Sequence, residues 1–239
     1  MKLPVFTAAT VLSLFALASA PCVSAPLAAQ SKATVAVIPY TNSAIGKANA
    51  ELEPLTKGIA DLMSVELSAN TSIRLTEREN LGQAIAEQNL SRDGRVDAAT
   101  VVKLGKLLGV HHMVTGSFIT DPKGTMKLTS RVFNAETGEI EFQTVDQDKT
   151  DNFMALVTKV AGKLNAGMKL PELAKQASAE REQAAKKMSF QAVMLYSRAI
   201  AAADAKKKGE AITLFRQTLK EFPDHEPSKK ELAKLGETP

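Results

Sequence analysis

The 239-residue chain holds a single cysteine, Cys22, no tryptophan and two tyrosines. One cysteine excludes an internal disulfide framework. So few large aromatic rings leave little from which to build a stacking platform for bases or sugars. Catalytic signatures are missing too. No G-x-x-x-x-G-K-[ST], G-x-S-x-G or H-E-x-x-H occurs, so phosphate-loop, serine-elbow and zinc-helix chemistry have no sequence basis. The charge balance is +4, from 30 basic and 26 acidic residues, too small an excess for a nucleic-acid binder. These absences exclude more functions than any residue present suggests, and the expectation is a protein that is not an enzyme and uses no cofactor or metal.

What is present begins with a leader. Residues 1–29 open on Lys2, continue as an apolar run over residues 3–20, and end in small residues, the pattern of a cleaved secretory signal peptide. Cleavage after Ala29 removes Cys22 and Lys2, leaving 29 basic and 26 acidic residues, or +3. Bacterial lipidation at Cys22 calls for a small residue just before it, and Pro21 stands there instead. Beyond the leader no apolar run is long enough to span a bilayer. From Lys169 onward the chain has 14 basic and 10 acidic residues, against 15 and 16 before it, so its basic character belongs to solvated helices.

The pattern over residues 97–147 is the clearest in the chain. Asp97 N-caps a helix whose apolar positions are Val101, Leu104, Leu107 and Leu108, and Gly109 ends it. Three strands follow. Turn chemistry at Asp121-Pro122-Lys123-Gly124 separates the first two. The second, over residues 125–133, alternates Met126, Leu128, Ser130 and Val132 with Lys127, Thr129 and Arg131. A turn at residues 134–138 leads to a third strand carrying Ile140, Phe142 and Val145. Upstream, residues 33–40 read as a buried strand ended by Pro39, residues 41–48 as a loop, and residues 51–69 as a helix with Leu55, Ile59, Leu62, Met63 and Leu67 inward. A short strand at residues 72–76 and a helix at residues 77–90 follow. A helix over residues 151–168 closes this part.

The expected fold class is α/β, an α+β mixed sheet with helices packed on it, over residues 30–168. An all-α helical extension over residues 169–239 follows it. Its helices fall at residues 170–187, 189–205, 208–222 and 228–235.

Four constellations invite a functional reading. His111 and His112 are adjacent in a strand and face opposite sides, so they cannot converge on one metal ion. Around Glu77-Arg78-Glu79 the structural reading has Thr76 capping a helix, the two carboxylates favouring its N-terminus, and Arg78 free to form an ion pair. Lys206-Lys207-Lys208 reads as a solvated turn. Lys103-Leu-Gly-Lys-Leu-Leu-Gly109 lies inside a helix, where Gly105 permits close packing. No residue is assigned to catalysis, cofactor binding or metal binding.

Five stretches in order carry a family resemblance: VAVIPYTNS at 35–43, GIADLMSVEL at 58–67, RLTERENLGQAIAEQNL at 74–90, KLGKLLGVHHMVTGSF at 103–118 and RVFNAETGEI at 131–140. Together they resemble the curli-assembly (CsgG-type) family of periplasmic and outer-membrane proteins. The resemblance implies a non-catalytic envelope role, in assembly or export of a surface structure, by contact with envelope proteins and through homo-oligomers. It also implies a periplasmic location, associated with the outer membrane, and no nucleic-acid partner. The alternative it allows is a periplasmic activator of a cell-wall synthase, since relatives activate penicillin-binding proteins. The channel-forming member inserts long membrane hairpins after its TGS-like and TGE-like motifs. Here Phe118 and Lys127 flank a tight turn, so no pore is expected. The C-terminal region resembles a tetratricopeptide repeat, with Ala211, Phe215 and Pro223 at the packing alanine, aromatic and terminal proline, for about one and a half repeats.

Overall fold

The computed structural model describes residues 32–44, 47–87, 97–171 and 175–238. The leader and Cys22 lie outside the described residues, as do residues 88–96. The described chain runs β1 (Ala33–Val37), β2 (Thr41–Asn42), α1 (Lys47–Leu52), α2 (Leu55–Leu67), β3 (Ile73–Leu75), α3 (Arg78–Glu87), α4 (Ala98–Leu108), β4 (His112–Thr120), β5 (Thr125–Asn134) and β6 (Ile140–Lys149). After a 3-10 turn come α5 (Phe153–Gly167), α6 (Lys175–Ala185), α7 (Phe190–Asp204), α8 (Lys208–Glu221) and α9 (Glu226–Lys234).

The six strands form one mixed sheet in the order β3-β1-β4-β5-β6. β1 pairs parallel with β3 and β4, β2 pairs parallel with β4, and β4-β5-β6 is an antiparallel meander. A mixed sheet with helices packed on it, followed by a run of helices, is the class the sequence implied. The local signals hold as well. The Asp97 side chain accepts from the Thr100 amide at 2.7 Å, and Gly109 closes α4 with φ 62°. Gly124 and Gly138 stand at φ 72° and 76°, the left-handed region glycine enters without a Cβ clash.

Three details differ from the sequence reading. The helix expected over residues 51–69 is broken into α1 and α2 at Pro54, which has no amide hydrogen to bond backward and disfavours helical geometry at Glu53. The loop expected over residues 41–48 contributes a short strand, β2, and the start of α1. On β6 the apolar residues do not share a face. Ile140 is 51% exposed and Val145 46% exposed, whereas Thr144 and Asp146 are buried. Phe142 and Val145 are three apart, so a strand must turn one of them outward. Register with β5 decides which: Leu128, buried on β5, lies opposite Asp146.

Two cores sandwich the sheet. On one face Val35 and Val37 of β1, Val114 and Phe118 of β4, and Met126, Leu128 and Val132 of β5 pack with α2, α5 and α7. The same core continues through Ala211 and Phe215 of α8 to Leu232 of α9, so the C-terminal helices share the interior of the α/β part. On the other face Ala36, Ile38, Met113 and Phe133 meet Ala84 of α3 and Val101 and Leu104 of α4. Gly105 lets α4 approach the β5–β6 turn, because a Cβ there would stand 2.6 Å from the Ala135 Cβ. Gly58 serves the other face, where a Cβ would stand 1.9 Å from the Ser197 hydroxyl of α7.

Candidate functional site

The most elaborate polar arrangement lies outside the carboxyl ends of β1 and β3, the position where open parallel sheets place their crevices. Thr76 donates its amide to Val35 O at 2.9 Å, which brings the start of α3 beside the end of β1. The Glu77 carbonyl accepts from the Leu81 amide at 3.1 Å, so Glu77 rather than Thr76 holds the N-cap position. Arg78, the first residue of α3, therefore points across the tops of three other helices.

Its guanidinium bonds Asp204 at the end of α7 and Glu231 of α9, the latter at 2.8 Å. Asp61 of α2 lies 3.6 Å away and Glu79 3.7 Å away. Lys57 pairs with Asp204 at 2.8 Å, and Lys234 bridges Glu231 at 2.8 Å and Glu79 at 3.3 Å. The Tyr196 hydroxyl donates to Asp61, and its buried ring lies edge-on to the His225 imidazole with centroids 4.6 Å apart. His225 Nδ1 is 2.8 Å from the Ser228 hydroxyl in turn.

The electrostatics follow from burial. Three cations, Lys57, Arg78 and Lys234, face four carboxylates, Asp61, Glu79, Asp204 and Glu231. Asp61 is largely buried, and burial raises its pKa despite the Tyr196 hydrogen bond and the Arg78 charge. Burial opposes the charge on Arg78, but Asp204, Glu231, Asp61 and Glu79 together hold its pKa above the ordinary value. Burial pushes His225 down to about 4, so it is a neutral packing group at physiological pH. A cleft of about 80 Å³ beside the cluster is lined in part by Pro39, Ser64, Thr76 and Leu81. It holds no nucleophile paired with a base. Every charged head in it is bound to a partner, and the chemistry available is that of a clamp joining α2, α3, α7 and α9.

The other constellations separate. His111 Nδ1 is 2.6 Å from the Thr34 hydroxyl, and His112 Nδ1 is 2.7 Å from a Glu141 carboxylate oxygen, so the two rings point to different strands. Among the described residues no group of three metal-ligating side chains is assembled. Lys206 has φ 59° in the α7–α8 turn, and Lys207 makes an exposed pair with Glu210 at 3.3 Å. A second, open depression of about 500 Å³ lies where α4 meets β4, between Gly109, His111 and Glu136.

The Thr115-Gly116-Ser117 motif has a packing explanation. Tyr40 crosses Gly116 to bond the Ser130 hydroxyl at 2.8 Å, and a Cβ on Gly116 would stand 1.9 Å from Thr129 O and 2.7 Å from the Tyr40 ring. The sequence marked Arg78 as a residue able to form an ion pair. Asp61, Tyr196, Asp204 and Glu231 carried no signal, because they stand up to 170 positions apart. Only an i, i+3 spacing between Glu231 and Lys234 hinted at one pair.

With this geometry in view, the family comparison is informative. The model of the CsgG family, the curli production assembly/transport component, matches residues 17–121, which include β1 through β4. Four of the five stretches that carry the CsgG-type resemblance lie inside this match, and the fifth, at residues 131–140, lies beyond it. Among solved structures the chain is similar to the LpoB C-terminal domain from Escherichia coli, at 19% identity and TM-score 0.38, covering 51% of this chain and 86% of that one. It is also similar to the lipoprotein GNA1162 from Neisseria meningitidis (11%, TM-score 0.39, 49% and 80% covered). A third is the PelC dodecamer from Paraburkholderia phytofirmans (11%, TM-score 0.36, 62% and 94% covered). No curated protein matches the chain. No helix among the described residues is long and apolar enough to cross a membrane.

Proposed function

We propose that this protein is a non-catalytic periplasmic component in the assembly or export of a surface structure at the outer membrane, acting by protein–protein contact. The match of residues 17–121 to the CsgG assembly/transport family carries this reading. The shape of the meander supports the absence of a pore. A four-residue turn at residues 121–124 joins β4 to β5, and β6 runs through one 3-10 turn into α5. Strand pairs that cross an outer membrane need about 9–11 residues per strand, alternating with apolar side chains toward lipid. β4 and β5 have that length, but their apolar face is already buried under α2 and α5. The polar cluster around Arg78 is saturated by its own partners and acts as a clamp between helices.

The test is an in-cell crosslinking pull-down with the full chain from a periplasmic fraction. The expected catch is a secretion or assembly component of a surface structure. Recovery of a penicillin-binding protein with no such component would overturn the proposal in favour of a cell-wall synthase activator.

A further inference from the structure

The three strands of the meander sort their charges by sign. Three carboxylates and three cations stand on β4, β5 and β6, and backbone alternation sends each set to a different face. The carboxylates turn to the covered face. Asp146 is held there by Lys159 and Lys163 of α5, each at 2.7 Å, and Asp148 accepts from the Asn152 amide group at 3.0 Å. Glu141, the extra residue at a β-bulge, lies 2.7 Å from His112 Nδ1 and accepts from Asn134 at 3.2 Å. The cations Lys127, Arg131 and Lys149 turn to the bare face. Among the described residues none of the three is paired with a carboxylate. Arg131 donates to Gln143 at 2.9 Å, Lys149 donates to Lys123 O and the Thr125 hydroxyl, and the Lys127 ammonium has no partner. At the rim, the Asp121 carboxylate is taken up by the amides of Lys123 and Thr125. The bare face of these strands thus carries three positive charges, against a net +4 for the whole chain.

We propose that this face docks an acidic, partly apolar segment of a different protein, a proposal that rests on the reading of this chain as one acting by protein contact. The shape fits such a segment. Helices α3 and α4 cover the neighbouring part of the same face, and the uncovered part is three strands, or about 10 Å, across. That is about the width of one helix, so one further element would complete the layer. The side chains fit it too. In register, Lys127 lies between Ile119 and Gln147, and Thr129 lies between Ser117 and Val145. Arg131 stands two residues further along β5, about 14 Å from Lys127. Ile119, 42% exposed, and Val145, 46% exposed, thus stand on opposite sides of the cation row. The cations attract carboxylates and set which partners are admitted, while the two β-branched side chains offer apolar contact once the segment is seated. A bare polyanion makes no use of Ile119 and Val145. A sugar chain finds no aromatic ring on the uncovered strands to stack against. An acidic protein segment with apolar residues uses every feature of the face.

The test is site-specific photocrosslinking of the full chain in living cells. Benzoylphenylalanine is placed at Gln143 or Gln147, both exposed on the bare face, and at the exposed Thr213 of α8 as a control. Mass spectrometry then reads which segment is captured. Positions 143 and 147 are expected to capture segments of another protein that carry net negative charge and apolar residues, and position 213 is not. Capture should fall roughly tenfold or more in the double variant Lys127→Glu with Arg131→Glu. It should persist in Lys127→Arg with Arg131→Lys, and both variants should keep the wild-type circular dichroism spectrum. Neutral or basic captured segments, capture that survives charge reversal, or adducts with a second copy of this chain would each overturn the inference. So would cosedimentation of the purified chain with phosphatidylglycerol vesicles that charge reversal abolishes, since the face would then belong to a lipid surface. Empty crosslinks at positions 143 and 147 beside a successful pull-down of an envelope component sink this inference alone. The envelope-assembly reading would then stand, since it is tested by which proteins the whole chain captures.

Discussion

One face of the sheet is covered across its width, by α2, α5 and α7, while the other is covered only over β1, the start of β4 and the end of β5, by α3 and α4. The difference is written into the strands. β5 turns Met126, Leu128, Ser130 and Val132 to the covered side and Lys127, Thr129 and Arg131 to the bare side. A face that alternates apolar against charged can be solvated on one side without cost, which is the usual condition of an antiparallel meander. The parallel strand β1 is buried on both sides at its end, with Val35 and Val37 toward one core and Ala36, together with Ile38 just past the strand, toward the other. The covered side therefore holds the molecule together, and the bare side of β5 and β6 is solvated.

The sharpest way to break this asymmetry is to open the covered side. Phe215 of α8 is fully buried in the core that reaches from α9 to the sheet, so Phe215→Ala should cost about 3–5 kcal/mol, read as a fall in the urea midpoint. Arg78→Ala removes the cation shared by Asp61, Asp204 and Glu231. It should cost roughly 3 kcal/mol, and Asp204→Asn in the same background should cost less than it does alone.

A pH titration probes the same side. The folded-state pKa of His225 is depressed from 6.5 to about 4, so the unfolded chain binds its proton more readily. The stability His225 contributes is fully present above pH 6.5 and is lost as pH falls from 6.5 through 4. That loss is on the order of 3 kcal/mol in wild type, and His225→Gln should flatten the dependence in that window.

Smaller effects compare contact with open space. Gly58→Ala forces a methyl into Ser197 at the α2–α7 crossing and should destabilise by about 1–3 kcal/mol. Gly162→Ala in α5 meets nothing within 4 Å and should stabilise by up to about 1 kcal/mol through helix propensity alone.

Much of the frame was legible before any coordinates. Turn glycines, the Asp97 cap and the β5 alternation are local codes, each read from residues a few positions apart. The exposure of Val145 was not legible, because the three-residue spacing from Phe142 leaves both faces open until β5 sets the register. Nor was the break at Pro54 read, although proline carries a local signal for it. The Arg78 clamp was unreadable for a different reason. Its partners at 61, 204 and 231 come from helices whose meeting depends on how α7 and α9 pack, and no short-range pattern encodes that.

By itself, then, the sequence determined the mixed sheet, its meander, the solvated face of β5 and the CsgG-type likeness, since backbone conformation and alternation depend on neighbours in the chain. Only the tertiary structure decided that the C-terminal helices share the core of the α/β part, that Asp146 is buried between two lysines, and that Arg78 meets Asp61, Asp204 and Glu231. Those features arise where distant segments meet, and burial there changes the energetic meaning of a charge or a free backbone group.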